Sequence, residues 1–171
     1  MEDPHRGEVP FVVRAATPAD ATTIGVLRTE MLAVAPAAYD TDPDVAGRPP
    51  SHWATWVGTD SDGTRRTVQL AEVGGCAVGM AAAHIDPDGH CAHLGAMWVQ
   101  PTHRGRGVAR ALLAAAETWA HRSGARTVVL GVAATNTGAA RLYAAAGYTH
   151  TGDGRTTRWG DTEHTLTKNL T

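Results

Sequence analysis

Apolar residues along this chain recur with two different periods, and the changes of period mark its elements. Val9 to Ala15 is a short run rich in β-branched residues, which predicts a first strand. Thr17-Pro18-Ala19-Asp20 then offers an N-cap threonine, a proline at the first helical position and an acid three residues after the cap. Ile24, Leu27, Met31 and Val34 follow at spacings of three and four, one face of a helix that Pro36 ends. Residues 37–50 are rich in turn formers. Ser51 caps a short predicted helix carrying Trp53, Trp56 and Val57, and Asp60 to Gly63 form a second turn cluster. Strand periodicity then takes over. Thr67–Val73 and Cys76–Ile85 flank Gly74-Gly75, a hairpin signal, and the turn Asp86-Pro87-Asp88-Gly89 leads into a third strand, Cys91–Val99. Gly107–Arg122 reads as a helix through Val108, Ala111, Leu112, Ala115 and Trp119, with Gly124 as its stop. Arg126–Val132 is a β-branched strand, Thr137–Ala146 a helix ended by Gly147. Tyr148–Gly152 and Glu163–Leu170 are two more strands joined by a polar hairpin.

The resulting order is β-α-α-β-β-β-α-β-α-β-β. Hairpins in the middle and alternation late predict an α/β (α+β) domain with a mixed sheet. No repeat or linker divides it. Residues 1–8 read as a flexible N-terminal tail, and residues 9–171 as one domain.

Composition narrows the function classes. A net charge of −2 lacks the basic excess of a nucleic-acid binder. No apolar run approaches the roughly 18 residues of a membrane span. The first residues, Met1-Glu2-Asp3-Pro4-His5, are acidic where a signal peptide is basic and then apolar. Two cysteines, Cys76 and Cys91, suit a reduced, cytoplasmic protein better than a disulfide scaffold.

Chemistry concentrates in Trp98-Val99-Gln100-Pro101-Thr102-His103-Arg104-Gly105-Arg106-Gly107-Val108-Ala109, a glycine-rich turn from a strand into a helix. A helix N-terminus presents backbone N–H groups without intrahelical partners and a positive dipole end, and glycines let a ligand approach the backbone. Such a turn can cradle phosphate. It lacks the Gly-Lys-Ser/Thr of a Walker loop. Arg110 occupies the place where a dinucleotide fingerprint needs a small residue.

A second segment, Asn136-Thr137-Gly138-Ala139-Ala140-Arg141-Leu142-Tyr143-Ala144-Ala145-Ala146-Gly147-Tyr148, joins the first in a recognisable pair. Arg104-x-x-Gly107-x-Ala109 followed by Asn136-x-x-Ala139-x-x-x-Tyr143-x-x-x-Gly147-Tyr148 resembles the paired motifs of the GNAT superfamily of acyl-CoA-dependent N-acyltransferases. The order of elements from Val12 to Leu170 is similar as well. The resemblance implies a mixed, mostly antiparallel sheet of six to seven strands flanked by about four helices. It implies acetyl-CoA as co-substrate, with the backbone of Arg104, Gly105, Arg106, Gly107, Val108 and Ala109 on its pyrophosphate. The strand end at Met97, Trp98 and Val99 would splay from Arg126–Val132 and hold the pantetheine arm and the thioester carbonyl. Asn136 would touch the pantetheine or the following helix, and Tyr143 would protonate the leaving thiolate. A homodimer is common in such a family.

The acceptor amine must lose a proton, since a primary amine near pKa 10 is protonated at neutral pH. Many members of the family carry a glutamate early on the strand before the cradle. Here His93 stands at that position, and a neutral imidazole can act as base. His84, across the predicted hairpin, is a second candidate and a water chain a third. His84, His90, Cys91 and His93 match no zinc-ligand spacing, and strand alternation sets His90 on the opposite face from Cys91 and His93, so no metal is expected. Acids crowd the predicted loops at Asp40, Asp42, Asp44, Asp60, Asp62, Asp86 and Asp88. They suit either a cationic acceptor or the ordinary turn role of aspartate. Tyr39, His84 and Trp159 are candidate acceptor contacts. The reading favoured is N-acetylation of a small primary amine. The alternatives are a protein or peptide amine as acceptor, and a non-catalytic acyl-CoA-binding regulatory module.

Overall fold

The alternating stretches pair into one eight-stranded sheet in a computed structural model that describes residues 10–35 and 43–171; the expected tail over residues 1–8 lies outside them. The elements run β1 (Phe11–Ala15), α1 (Ala21–Val34), α2 (Pro50–Ala54), β2 (Gly58–Thr59), β3 (Arg65–Val73), β4 (Cys76–Ile85), β5 (Cys91–Val99), α3 (Val108–Arg122), β6 (Thr127–Ala133), α4 (Thr137–Ala145), β7 (Thr149–Thr156) and β8 (Thr162–Asn169). Spatially the strands stand β1-β3-β4-β5-β6-β8-β7, with β2 pairing β3 beside this path. Among the described strands β5 and β6 form the parallel pair, and the others are antiparallel.

Two layers of helix cover the sheet. Ile24, Leu27 and Met31 of α1 and Trp53 of α2 pack with Val68, Leu70, Met80 and Trp98 on one face. On the other face, α3 and α4 bring Leu113, Ala116 and Tyr143 against Ile85, Leu94, Val128 and Leu130. The amphipathic spacing read from the sequence thus serves both layers.

Several boundaries differ from the expectation. The α1 segment opens with a 3-10 turn, Pro18–Asp20, in which the Asp20 carboxylate accepts from Thr17 N–H at 2.8 Å. Proline at the first helical position starts α2 at Pro50, with Pro49 rather than Ser51 in the cap position, and Trp56 and Val57 lie beyond its end. The sheet gains β2, an eighth strand that two exposed residues form by folding back on Arg65 and Arg66. So short a pairing leaves no alternation to read. Strand β7 runs four residues further than expected because its polar end re-pairs with β8 after an irregularity between His150 and Gly154.

One glycine shows how tightly the sheet and α3 meet. A Cβ on Gly79 would stand 2.8 Å from the backbone oxygen of Trp98 and 3.2 Å from Leu112 Cδ1. Backbone cannot swing aside as a flexible side chain can. Gly79→Ala is expected to cost about 1–3 kcal/mol and to lower the melting temperature by several degrees, checked by thermal denaturation followed by circular dichroism.

Candidate active site

Strand β5 carries the site because its two edges behave differently. On the β4 side it is paired along most of its length, from Ala92 opposite Ile85 to Val99 opposite Gly79. On the β6 side its pairing runs only from Cys91 opposite Thr127 to Leu94 opposite Leu130. Past Leu94 the parallel strands part, as expected for a splayed slot, and the edge from Gly95 to Val99 has no β6 partner. A bulge sits at the divergence. Ala82 faces Gly95 but Met80 faces Trp98, so β5 holds an extra residue there, and Ala96 takes φ +49°, a left-handed conformation uncommon for alanine. Local strain of this kind concentrates at functional sites.

A cleft of about 750 Å³ opens along that edge, walled by Met97, Trp98 and Val99 of β5, Arg104 and Gly105 of the turn, Ala109 of α3, and Asn136, Ala139, Arg141 and Leu142 around α4. A hollow of about 290 Å³ adjoins it at the α3 N-terminus, lined by Gly105, Gly107, Val108 and Arg110 among others. Gly105 (φ +74°) and Gly107 (φ +82°) shape this turn, with Gly107 capping α3. The helical ladder begins with Ala111 N–H donating to Gly107 C=O, so the N–H groups of Val108, Ala109 and Arg110 lie ahead of it. Arg104 turns its side chain to the strand rather than the turn. Its Nε donates to Val99 O at 2.9 Å and its guanidinium lies 4.8 Å over the Trp98 ring. This ties the turn to the end of β5. Arg106 is exposed and lines neither cavity.

Asn136 caps α4, its Oδ1 accepting from Ala139 N–H at 3.2 Å, and also faces the cleft. Tyr143 follows Leu142 on the same helix. It is 5% exposed, packs edge-to-face on Tyr148 with ring centroids 5.7 Å apart, and is absent from the cleft lining.

A second cavity, about 280 Å³, lies on the α1/α2 side of the sheet. His93 and its register partner His84 line it, together with Arg28, Trp56, Arg66, Thr67 and the bulge residues Gly95 and Ala96. The rings of His84 and His93 stack at 4.9 Å and 14°. Burial is the main cause holding His84 below the ordinary imidazole value. The charges of His93 and Arg66 add to it, and Asp86 opposes. The two cavities reach adjacent residues of one bulge, Ala96 on one side and Met97 on the other. Of the remaining candidates, Trp159 sits between β7 and β8, 47% exposed and in neither cavity, and Tyr39 lies outside the described residues.

Sequence reasoning did not select Arg28 or Arg66. Arg28 had a signal: it breaks the apolar stripe between Leu27 and Met31, and it is 4% exposed, its guanidinium 5.2 Å over the Trp56 ring. Arg66 donates to Asp60 at 2.8 Å. The loop acids divide. Asp62 and Asp88 accept from backbone N–H groups two residues on, the turn role, while Asp86 turns to the histidines. Asp40 and Asp42 lie outside the described residues.

The model of the acetyltransferase (GNAT) family matches residues 29–148. Solved structures are similar over almost the whole chain. An acetyltransferase of the GNAT family from Streptococcus pneumoniae is 20% identical with a TM-score of 0.76, covering 95% of this chain and 100% of its own. A putative acetyltransferase from Salmonella typhimurium, solved with its cofactor acetyl-CoA, is 22% identical with a TM-score of 0.74, covering 95% of each chain. A GCN5-related N-acetyltransferase from Kribbella flavida is 26% identical with a TM-score of 0.75, covering 94% of this chain and 98% of its own. The first two likenesses are of fold. No curated protein matches the chain.

Proposed function

This chain belongs to the acetyltransferase (GNAT) family, and we propose that it acetylates a primary amine of a small molecule, donor and acceptor being bound together for direct attack. As a member it is an acyl-CoA-dependent N-acetyltransferase with acetyl-CoA as co-substrate. The observation that supports the acceptor reading is that two cavities are lined by successive residues of one bulge: a small one holding His93 reaches Ala96, and a long cleft ending at a helix N-terminus reaches Met97.

The chain's own groups fit the co-substrate. The N–H groups ahead of the α3 ladder, with Gly105 and Gly107 leaving the backbone bare, suit a pyrophosphate. The open β6-facing edge of Gly95–Val99 suits the amides of a pantetheine arm, which can add to it as a strand does. Bound acetyl-CoA supplies an acetyl thioester for an amine to attack. Backbone at Met97 and Trp98 orients that carbonyl and offers N–H to the charge that develops on its oxygen. His93 accepts the proton the amine gives up, with His84 beside it as the second candidate. Tyr143 holds the proton destined for the departing sulfur. Holding both reactants across one bulge supplies much of the acceleration through proximity.

The small cavity supports a small amine over a folded protein substrate, being at the low end of ligand sites. Free Cys76 and Cys91 agree with a cytoplasmic setting. No described helix is long and apolar enough to cross a membrane.

Free-thiol release from acetyl-CoA across a panel of amino acids, polyamines, amine antibiotics and short peptides tests this reading. Release that depends on a small monoamine is expected, and His93→Gln is expected to reduce it about a hundredfold. Release with peptides alone would transfer the assignment to a protein amine. No acceptor-dependent release from a protein that binds acetyl-CoA would favour the regulatory module.

A further inference from the structure

Two histidines and an aspartate converge beside the small cavity without hydrogen bonding one another. Asp86 opens the turn between β4 and β5 and directs one carboxylate oxygen toward each imidazole of the stacked pair. Its Oδ2 is 3.4 Å from His93 Nε2 and its Oδ1 is 3.9 Å from His84 Nε2. Both separations exceed the roughly 2.7–3.2 Å of an N–H···O bond. The three ligand atoms lie within 4.8 Å of one another, and this is the one such trio found among the described residues.

We propose that His84, Asp86 and His93 form a binding site for a divalent transition-metal ion of the zinc type on the wall of the acceptor cavity. Nitrogen and oxygen ligands of a tetrahedral zinc stand about 2.0–2.1 Å from it, and therefore roughly 3.3 Å from each other. The His93–Asp86 contact already has that spacing and the His84–Asp86 contact is close to it. The imidazoles are about 40% exposed, which leaves the rings room to turn inward. Two imidazoles and one carboxylate suit zinc, copper or nickel, whereas calcium and magnesium select oxygen. Three protein ligands leave a fourth position for water or for a ligand in the cavity. Two arginines stand on the same wall: Arg66 has its charge met by Asp60 at 2.8 Å, and the Arg28 guanidinium lies over Trp56. One consequence rests on the acetyltransferase reading with His93 as base. An ion on Nε2 occupies the lone pair that would accept the proton, so zinc is expected to inhibit reversibly.

The full chain, stripped with a chelator, is titrated with zinc sulfate against a chromophoric zinc indicator, and acetyl-CoA binding to each variant is measured by calorimetry. One ion per chain is expected, bound at least about tenfold more weakly by His93→Gln and by Asp86→Asn, with acetyl-CoA affinity retained in both as evidence of folding. Failure to take up zinc at about a hundred micromolar would overturn the site. So would uptake undiminished in both variants, which would move the ion to Cys76 or to the His150–His164 pair. Zinc uptake by a protein whose metal-free form shows no amine-dependent turnover would count against the acetyltransfer reading and leave the metal site standing.

Discussion

Tyr143→Phe is expected to lower turnover by about a hundredfold or more while acetyl-CoA affinity changes by less than about twofold. The substitution removes one oxygen and keeps the ring, so the edge-to-face contact with Tyr148 and the α4 packing persist. A phenol of ordinary pKa near 10 can protonate the anion of a thiol whose own value is near 8.5, provided it is held close. Tyr143 itself does not line the cleft, but Asn136, Ala139 and Leu142 of the same segment do, so its ring lies directly behind the cleft wall. Steady-state turnover and calorimetric affinity together decide the matter. Equal loss of both would make the tyrosine a packing residue. Unchanged turnover would give the proton to another group.

Gly107→Ala is expected to weaken acetyl-CoA binding at least tenfold. The left-handed conformation at φ +82° costs a non-glycine residue about 1–2 kcal/mol, which the chain can relieve by rotating the peptide that aims the first α3 amides. A Cβ there meets no protein atom within 4 Å, so the loss comes from backbone conformation and ligand approach rather than from an internal clash. Gly124→Ala supplies the comparison. It carries the same strain at φ +95°, also with open space around the Cβ, but follows the far end of α3. Both variants are expected to melt a few degrees early, and only Gly107→Ala to lose acetyl-CoA in calorimetry. Parallel losses in the two would mean that general destabilisation explains the effect.

The glycine-rich turn before α3 was legible because everything that shapes it lies within six consecutive residues, Arg104 to Ala109. Two glycines that permit positive φ and the start of an amphipathic helix are local properties. The cap of α4 by Asn136 is local in the same way. Strands β3, β4 and β5 were visible through their alternation and through Gly74-Gly75 between the first two. The short β2 was not, because two exposed residues leave no pattern. The aspartate that faces His84 and His93 was hidden among turn aspartates of the same composition, two of which serve only their own turns.

From the sequence alone came the order of elements apart from β2, the glycine-rich turn before α3, the family resemblance and the placing of His84 across a hairpin from the strand of His93. Periodicity, capping and turn chemistry act over a few residues, so the chain states them directly. The tertiary structure decided where β5 leaves β6, the bulge that gives Ala96 its positive φ, the burial of Tyr143, and the gathering of Arg28, Arg66 and the histidines around one cavity. Each of these depends on strand register and on which helix lands on which face. Such choices are settled by packing between segments far apart in sequence, and a local pattern carries no record of them.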